Sequence, residues 1–265
     1  MWFIKDGAGI ACVVLTYLIM TGVSSLVIKV AILQLDEEEY INGPICICFY
    51  YFFLFLAGFS HLKAMLTDPG SVPLNSAELP KVNEYKDGKP KFYCLRCRCN
   101  KPSRCHHCST CGRCIMKMDH HCPWVNNCVG HYNQKHFVLF LLYIELSCIY
   151  SFIMLGMRAS YCFSHEKAEL CLRPRQEVSF DLFIGVLSFF MAGIFGLFVG
   201  VMMQDQLTCI INNTSGIDEL KKTLVEKRPV KVNLEETFGG PFGILWFIPT
   251  SLKRQSNDMV EIELT

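Results

Sequence analysis

The sequence predicts an all-α polytopic membrane protein, with four transmembrane helices and a cytosolic cysteine-rich domain between the second and the third. Three observations carry this expectation. Hydrophobic residues make up 51% of the 265 residues and mean hydropathy is positive, too apolar for an ordinary soluble domain. The apolar residues fall in four blocks, each long enough to cross a hydrocarbon core, which takes about 20 helical residues. Nine of the sixteen cysteines crowd between Cys94 and Cys128 in Cys-x2-Cys units interleaved with histidine, which is metal-ligand spacing rather than a secreted disulfide framework.

Taken in order, the blocks are Ala8 to Leu33, Pro44 to Met65, Phe137 to Met157 and Phe180 to Met203. Lys29, His61 and Lys63 lie towards span ends, where amphipathic side chains reach the headgroups. The first block runs on too far, and lacks a small-residue cleavage site, for a cleavable signal peptide, and is expected to act as an uncleaved anchor. Lys and Arg near the spans set the orientation. The loop "QLDEEEYING" has none, whereas Thr67 to His136 has eleven. The latter loop and the tail, with Lys221, Lys222, Lys227 and Arg228, are therefore expected in the cytosol, and parity places the N-terminus there too. The expected divisions are 1–66 (helices 1 and 2), 67–136 (cysteine-rich catalytic domain), 137–205 (helices 3 and 4) and 206–265 (cytosolic tail). Cys162 and Cys171, on the opposite side, either pair or remain free thiols. The sequons at Asn212 and Asn213 would face the cytosol and stay unglycosylated. Gly193, Gly196 and Gly200 read as close-packing positions between helices. Ser71 to Pro90 reads as an irregular connector after the Thr67–Gly70 turn "TDPG". A net charge of +1 argues against a nucleic-acid partner.

The segment "CLRCRCNKPSRCHHCSTCGRCIMKMDHHCPWVNNC" offers nine Cys and four His. Two tetrahedral zinc sites would use eight of these thirteen, and such sites can hold a small loop folded. Spacing alone does not fix the grouping, but it leaves a surplus thiol. In "DHHC", Asp119, His120 and Cys122 can supply a nucleophile, a base and a carboxylate that orients the base, if one of His120 and His121 turns to the thiol and the other to a metal. A nearby zinc would fix where the thiol points. Cys122 lies fifteen residues before Phe137, so it belongs near the membrane surface. A sixteen-carbon chain entering the helices there gains on the order of 10 kcal/mol, at about 0.8 kcal/mol per methylene. The chemistry that uses these features is acyl transfer.

Asp119 to Cys122, set within C94-x2-C97, H107-C108-x2-C111-x2-C114 and C128-x4-N133-x3-F137, resembles the cysteine-rich domain of the DHHC-type protein S-acyltransferases, the palmitoyltransferases. The resemblance extends to the four spans and to "DPG" after the second. It implies two structural zincs, one held by Cys94, Cys97, His107 and Cys114, the other by Cys108, Cys111, His121 and Cys128. It implies Cys122 as nucleophile, His120 as base and Asp119 as orienting group, with fatty acyl-CoA as co-substrate and cysteine-bearing proteins near the membrane as acceptors. Trp124 and Phe137 match positions lining the acyl-chain entrance, and Ser147 one near its closed end. Asn233 with "TFGGPFGILWFIP" resembles a C-terminal motif that packs on the catalytic domain. Where the family has Thr-Thr-x-Glu, this chain has Ser215, Gly216, Ile217 and Asp218, so no hydroxyl at Gly216 can meet Asp119, and Ser215 or Thr214 is the candidate to substitute for it. The implied location is a Golgi, other endomembrane or plasma membrane.

Other classes fit less well. A RING ligase needs a separated final Cys-x2-Cys pair, which the segment after Cys114 lacks. A zinc transporter needs facing acidic or His pairs in its spans. A catalytically silent zinc-scaffolded adaptor has no use for an intact Asp-His-His-Cys, though the departure at Gly216 keeps it in play.

Overall fold

The computed structural model describes residues 2–32, 42–76, 85–86, 89–90, 92–163 and 175–251. Four helices are long and apolar enough to cross a membrane, as expected. They are α1 (Gly7–Val27, continued as a π-helical turn Ile28–Ile32), α2 (Asn42–Leu66), α3 (Gln134–Phe163) and α4 (Arg175–Asn212). α4 runs nine residues past the expected end at Met203, because Gln204 to Asn212 contains no Gly or Pro to stop it. Two short helices follow, α5 (Gly216–Lys221) and α6 (Val230–Phe238).

The cysteine-rich region is not helical. It is built from antiparallel two-stranded ribbons: β1 (Tyr85–Lys86) with β2 (Lys89–Pro90), β3 (Tyr93–Cys94) with β4 (Cys99–Asn100), β5 (His106–Cys108) with β6 (Arg113–Ile115), and β7 (His120–Cys122) with β8 (Asn127–Val129). The all-α expectation is therefore corrected here. Strands of two or three residues carry no readable hydrophobic period, and their core is thiol rather than hydrocarbon: Cys94, Cys97, Cys99, Cys105 and Cys114 pack on Val72.

The chain divides into two compact units, Val14–Gly58 with Phe140–Gln204, and Met1–Val13 with Phe59–Leu139 and Asp205–Thr265. In the first, Val27, Ile28, Tyr50, Leu155 and Ile184 form the core. The Tyr50 hydroxyl pairs with Ser151 Oγ at 2.7 Å, which satisfies two polar groups where water is scarce. The glycine row of α4 packs as expected: a Cβ on Gly193, Gly196 or Gly200 would stand 3.3–3.8 Å from Phe152, Cys148 and Glu145.

In the second unit, Asp68 of the "DPG" turn accepts from the Gly70 and Ser71 amides at 3.0 and 2.7 Å, an Asx turn that leads Ser71 into a bridge with Ile115. Asn133 donates to the Ala64 and Cys128 carbonyls, joining the end of α2 to β8. The C-terminal motif also packs here. Asn233 donates to the Ile211 carbonyl at 3.0 Å, and Phe238 stacks on Trp246 at 4.9 Å. The Lys135 ammonium, on a residue only 2% exposed, donates to the Leu245 carbonyl and to Thr250 Oγ1 at 2.8 and 3.0 Å. Asn213 Nδ2, the atom a glycan would use, donates to the Glu226 carbonyl. Cys171, most of the first loop and much of the Ser71–Pro90 connector lie outside the described residues, as does the side chain of Cys162.

Candidate active site

Strand geometry resolves the grouping that spacing left open. Successive side chains on a strand point to opposite faces, so adjacent residues part company. On β5, His107 turns to one cluster and Cys108 to the other. On β7, His121 turns to a cluster while His120 and Cys122 share the other face. Each ribbon also sets ligands opposite each other, His107 across from Cys114 and His121 across from Cys128.

The two resulting sets are those expected: Cys94, Cys97, His107 and Cys114, and Cys108, Cys111, His121 and Cys128, each with its donor atoms within 4.8 Å of one another. His107 Nδ1 lies 3.7, 3.2 and 4.0 Å from the sulfurs of Cys94, Cys97 and Cys114. His121 Nδ1 lies 3.6, 3.4 and 3.7 Å from those of Cys108, Cys111 and Cys128. A tetrahedral zinc with ordinary Zn–S and Zn–N bonds needs donor separations of about 3.5–3.8 Å. The donor sets fit such an ion. Amides of Cys97 and Cys111 point at the sulfurs of Cys94 and Cys108, the turn that brings each Cys-x2-Cys pair together.

The other face of β7 gathers a thiol, an imidazole and a carboxylate. His120 Nδ1 lies 2.6 Å from Asp119 Oδ2, so that ring nitrogen is committed to the carboxylate and Nε2 is the one left for other work. Nε2 is buried without a hydrogen-bond partner, and the Cys122 sulfur is near enough to act on the ring electrostatically. Burial by itself would depress the imidazole. The Asp119 carboxylate and the Cys122 thiol outweigh it and hold His120 up at about 9. Phe137 stands edge-on to His120, with ring centroids 5.5 Å apart. Cys122 and Asp119 are both 5% exposed.

Asp119 is itself fixed by two more donors. Gln206 Nε2 reaches Oδ2 at 2.9 Å and the Gly216 backbone amide reaches Oδ1 at 2.6 Å. Burial raises the carboxyl, but His120, Gly216 and Gln206 together pull it below its ordinary value. The missing hydroxyl at Gly216 is thus replaced by main chain. The local sequence explains how. Ser215 is the N-cap of α5, its Oγ accepting from the Asp218 amide while donating to Asp218 Oδ2, an N-cap that leaves the first helical amide free to meet Asp119. Asp218, 1% exposed, is held in turn by Arg104 at 2.8 Å.

The turn after Cys122, Pro123–Val125, is anchored by His61, whose Nε2 lies 2.9 Å from the Trp124 carbonyl. His61 is fully buried, so it does not reach for headgroups as the sequence led one to expect. Trp124 is half-buried. Ser147, 5% exposed, belongs to the helical unit and donates to the Tyr143 carbonyl at 2.7 Å. Gln206, His61 and Arg104 are site residues that sequence reasoning missed. A glutamine just past the expected span end was the one faint signal.

Among the described residues the chain has four membrane-length helices, two metal-type clusters and a thiol, an imidazole and a carboxylate on neighbouring positions in and just before β7, the features of a membrane protein with a cysteine-based transferase site. Comparison with known proteins makes the class specific. A family model described as DHHC palmitoyltransferase matches residues 88–223. The chain is 40% identical over 257 residues to the palmitoyltransferase ZDHHC3 of Rattus norvegicus, across 94% of this chain and 83% of the relative. It is 39% identical over 259 residues to the palmitoyltransferase ZDHHC7 of Mus musculus, across 94% of this chain and 80% of the relative. It is also 32% identical over 221 residues to the probable protein S-acyltransferase 13 of Arabidopsis thaliana, across 77% and 71%. The chain belongs to the DHHC palmitoyltransferase family.

Proposed function

We propose that this chain is a protein S-palmitoyltransferase that works through an acyl-enzyme on Cys122. The observation that carries the reading is the His120 ring, bound through Nδ1 to Asp119 at 2.6 Å and left with Nε2 on the face it shares with Cys122. In the first half-reaction His120 takes the Cys122 proton, the sulfur attacks the thioester carbonyl of acyl-CoA, and the carbon–sulfur bond to CoA breaks. CoA departs as its thiol with the proton from His120. In the second, His120 takes the proton of a substrate cysteine, whose sulfur attacks the acyl-enzyme, and Cys122 leaves and is reprotonated. Asp119 keeps the imidazole in the tautomer both halves need.

Two zinc ions in the Cys3His clusters would brace the ribbons structurally, and no chemical step runs through them. By the family resemblance, Trp124, Phe137 and Ser147 are the residues assigned to the acyl chain. The small Ser147 side chain leaves room for chains of sixteen or more carbons. A chain-length series of acyl-CoAs checks this, and a sharp preference for fourteen carbons or fewer would count against it. The protein is placed in an endomembrane or the plasma membrane with both termini cytosolic, which the charge asymmetry of the loops supports.

The test is autoacylation of purified protein with palmitoyl-CoA. Hydroxylamine-labile label is expected on wild type and none on Cys122→Ser. A folded, metal-loaded wild type that takes no label would favour the silent adaptor. That alternative rested on the departure at Gly216, and the amide contact to Asp119 weighs against it.

A further inference from the structure

The turn that follows the catalytic cysteine is held by the first residues of the chain. Asn126 ends the Pro123–Val125 turn with φ 47°, a left-handed conformation that asparagine tolerates, and Asn127 opens β8 directly across from Cys122. Both asparagines are fully buried. The Trp2 indole donates to Asn127 Oδ1 at 2.9 Å, and Asn126 Nδ2 donates to the Ile4 carbonyl at 2.7 Å. Gly9 faces the same amide so closely that a Cβ there would meet Asn126 Oδ1 at 2.1 Å and Cγ at 2.8 Å. That oxygen is buried with no hydrogen-bond partner, so the bare backbone of Gly9 sets its place. Asp6 fixes Gly9 in turn, accepting from its amide at 2.8 Å.

The other side of Asn127 is equally committed. Its Nδ2 donates to the carbonyls of Ala64, Met65 and Thr67 at the end of α2. Three acceptors on the nitrogen and one donor on the oxygen leave the amide a single orientation.

We propose that Trp2–Gly9 is a positioning strap for acyl transfer, fixing the Pro123–Asn127 turn and through it the direction in which the Cys122 sulfur meets a thioester. The inference rests on the reading of Cys122 as nucleophile. The strap supplies no atom to the reaction and no binding group to the acyl donor. Its loss should therefore fall on the rate of acylation rather than on KM, since misplacing a reacting group by about 1 Å can cost about 10²-fold.

Three variants of the full chain, purified in detergent and given palmitoyl-CoA, test it. Trp2→Phe removes the donor and keeps the ring. Gly9→Ala drives a methyl group into the Asn126 amide, and adding Asn126→Gly vacates that space with a residue suited to the left-handed φ. With zinc content equal to wild type, Trp2→Phe and Gly9→Ala should lower the acylation rate about tenfold or more, with KM for palmitoyl-CoA held within about twofold. The double variant should recover most of the Gly9→Ala loss. Wild-type rates in both single variants would overturn the strap, as would a Gly9→Ala defect that Asn126→Gly does not relieve. Should Gly9→Ala lose its zinc, Trp2→Phe decides on the same criteria. Absence of a thioester on wild type would instead overturn the role given to Cys122.

Discussion

Asp119 is held by a ring nitrogen, a side-chain amide and a backbone amide drawn from three separate stretches of chain. The backbone donor makes a test possible that a side-chain donor would not. Gly216→Pro removes the N–H while keeping a residue suited to the first helical position, and Ser215, extended at φ −132° and ψ 161°, already has the conformation that precedes proline. A hydrogen bond to a charged group contributes about 1.5–3 kcal/mol, so autoacylation should fall about tenfold or more. Gly216→Ala, whose Cβ would sit 3.4 Å from Asp119 Oδ1, should stay near wild type. Equal rates in the proline and alanine variants would show that the amide contact does not matter. At this scale residue chemistry pointed to the trio Asp119, His120 and Cys122, whereas the division of the eight Cys and His residues into two sets came through family resemblance. Residue chemistry alone could not say which of His120 and His121 joins a cysteine cluster, because that depends on the alternation of a strand too short to see.

Among the elements, the ribbons depend on their clusters far more than on apolar packing. The group around Cys108, Ile115, Met118 and Cys128 is small, and thiolates without an ion between them repel. Removing a ligand should therefore unfold the ribbons rather than weaken them, metal binding being coupled to folding in such units. His107→Ala and Cys108→Ser are expected to lose zinc and autoacylation together, read by elemental analysis beside the label, whereas Cys122→Ser keeps its zinc. Matching zinc loss in Cys122→Ser would break the assignment of the two sets. The long helices were legible because about 20 apolar residues in a row suit little besides a membrane span. Their ends were not. α4 continues to Asn212 through Gln204 and Asp205, polar residues that a hydropathy reading treats as an exit from the membrane and that helix propensity treats as neutral.

For the molecule as a whole, the proposal that both termini face the cytosol rests on the charge asymmetry of the loops. In sealed vesicles with the cytosolic face outward, added protease should remove tags from both ends, and protection of either tag would reverse the topology. Both the strap at Trp2 and the motif around Trp246 belong to the same unit as Cys122. The C-terminal motif was legible through its aromatic pattern, whereas nothing in the sequence pointed to the contacts of Trp2 and Ile4 with Asn127 and Asn126.

The Lys135 ammonium has a further meaning for the gene. With its side chain buried and its partners at Leu245 and Thr250, a reading frame interrupted before position 245 would not yield a trimmed enzyme. It would remove both hydrogen-bond partners of that ammonium, each bond to a charged group contributing about 1.5–3 kcal/mol, a sizeable share of the stability an ordinary domain has. Shortened forms intended for crystallisation or expression should end after Thr250.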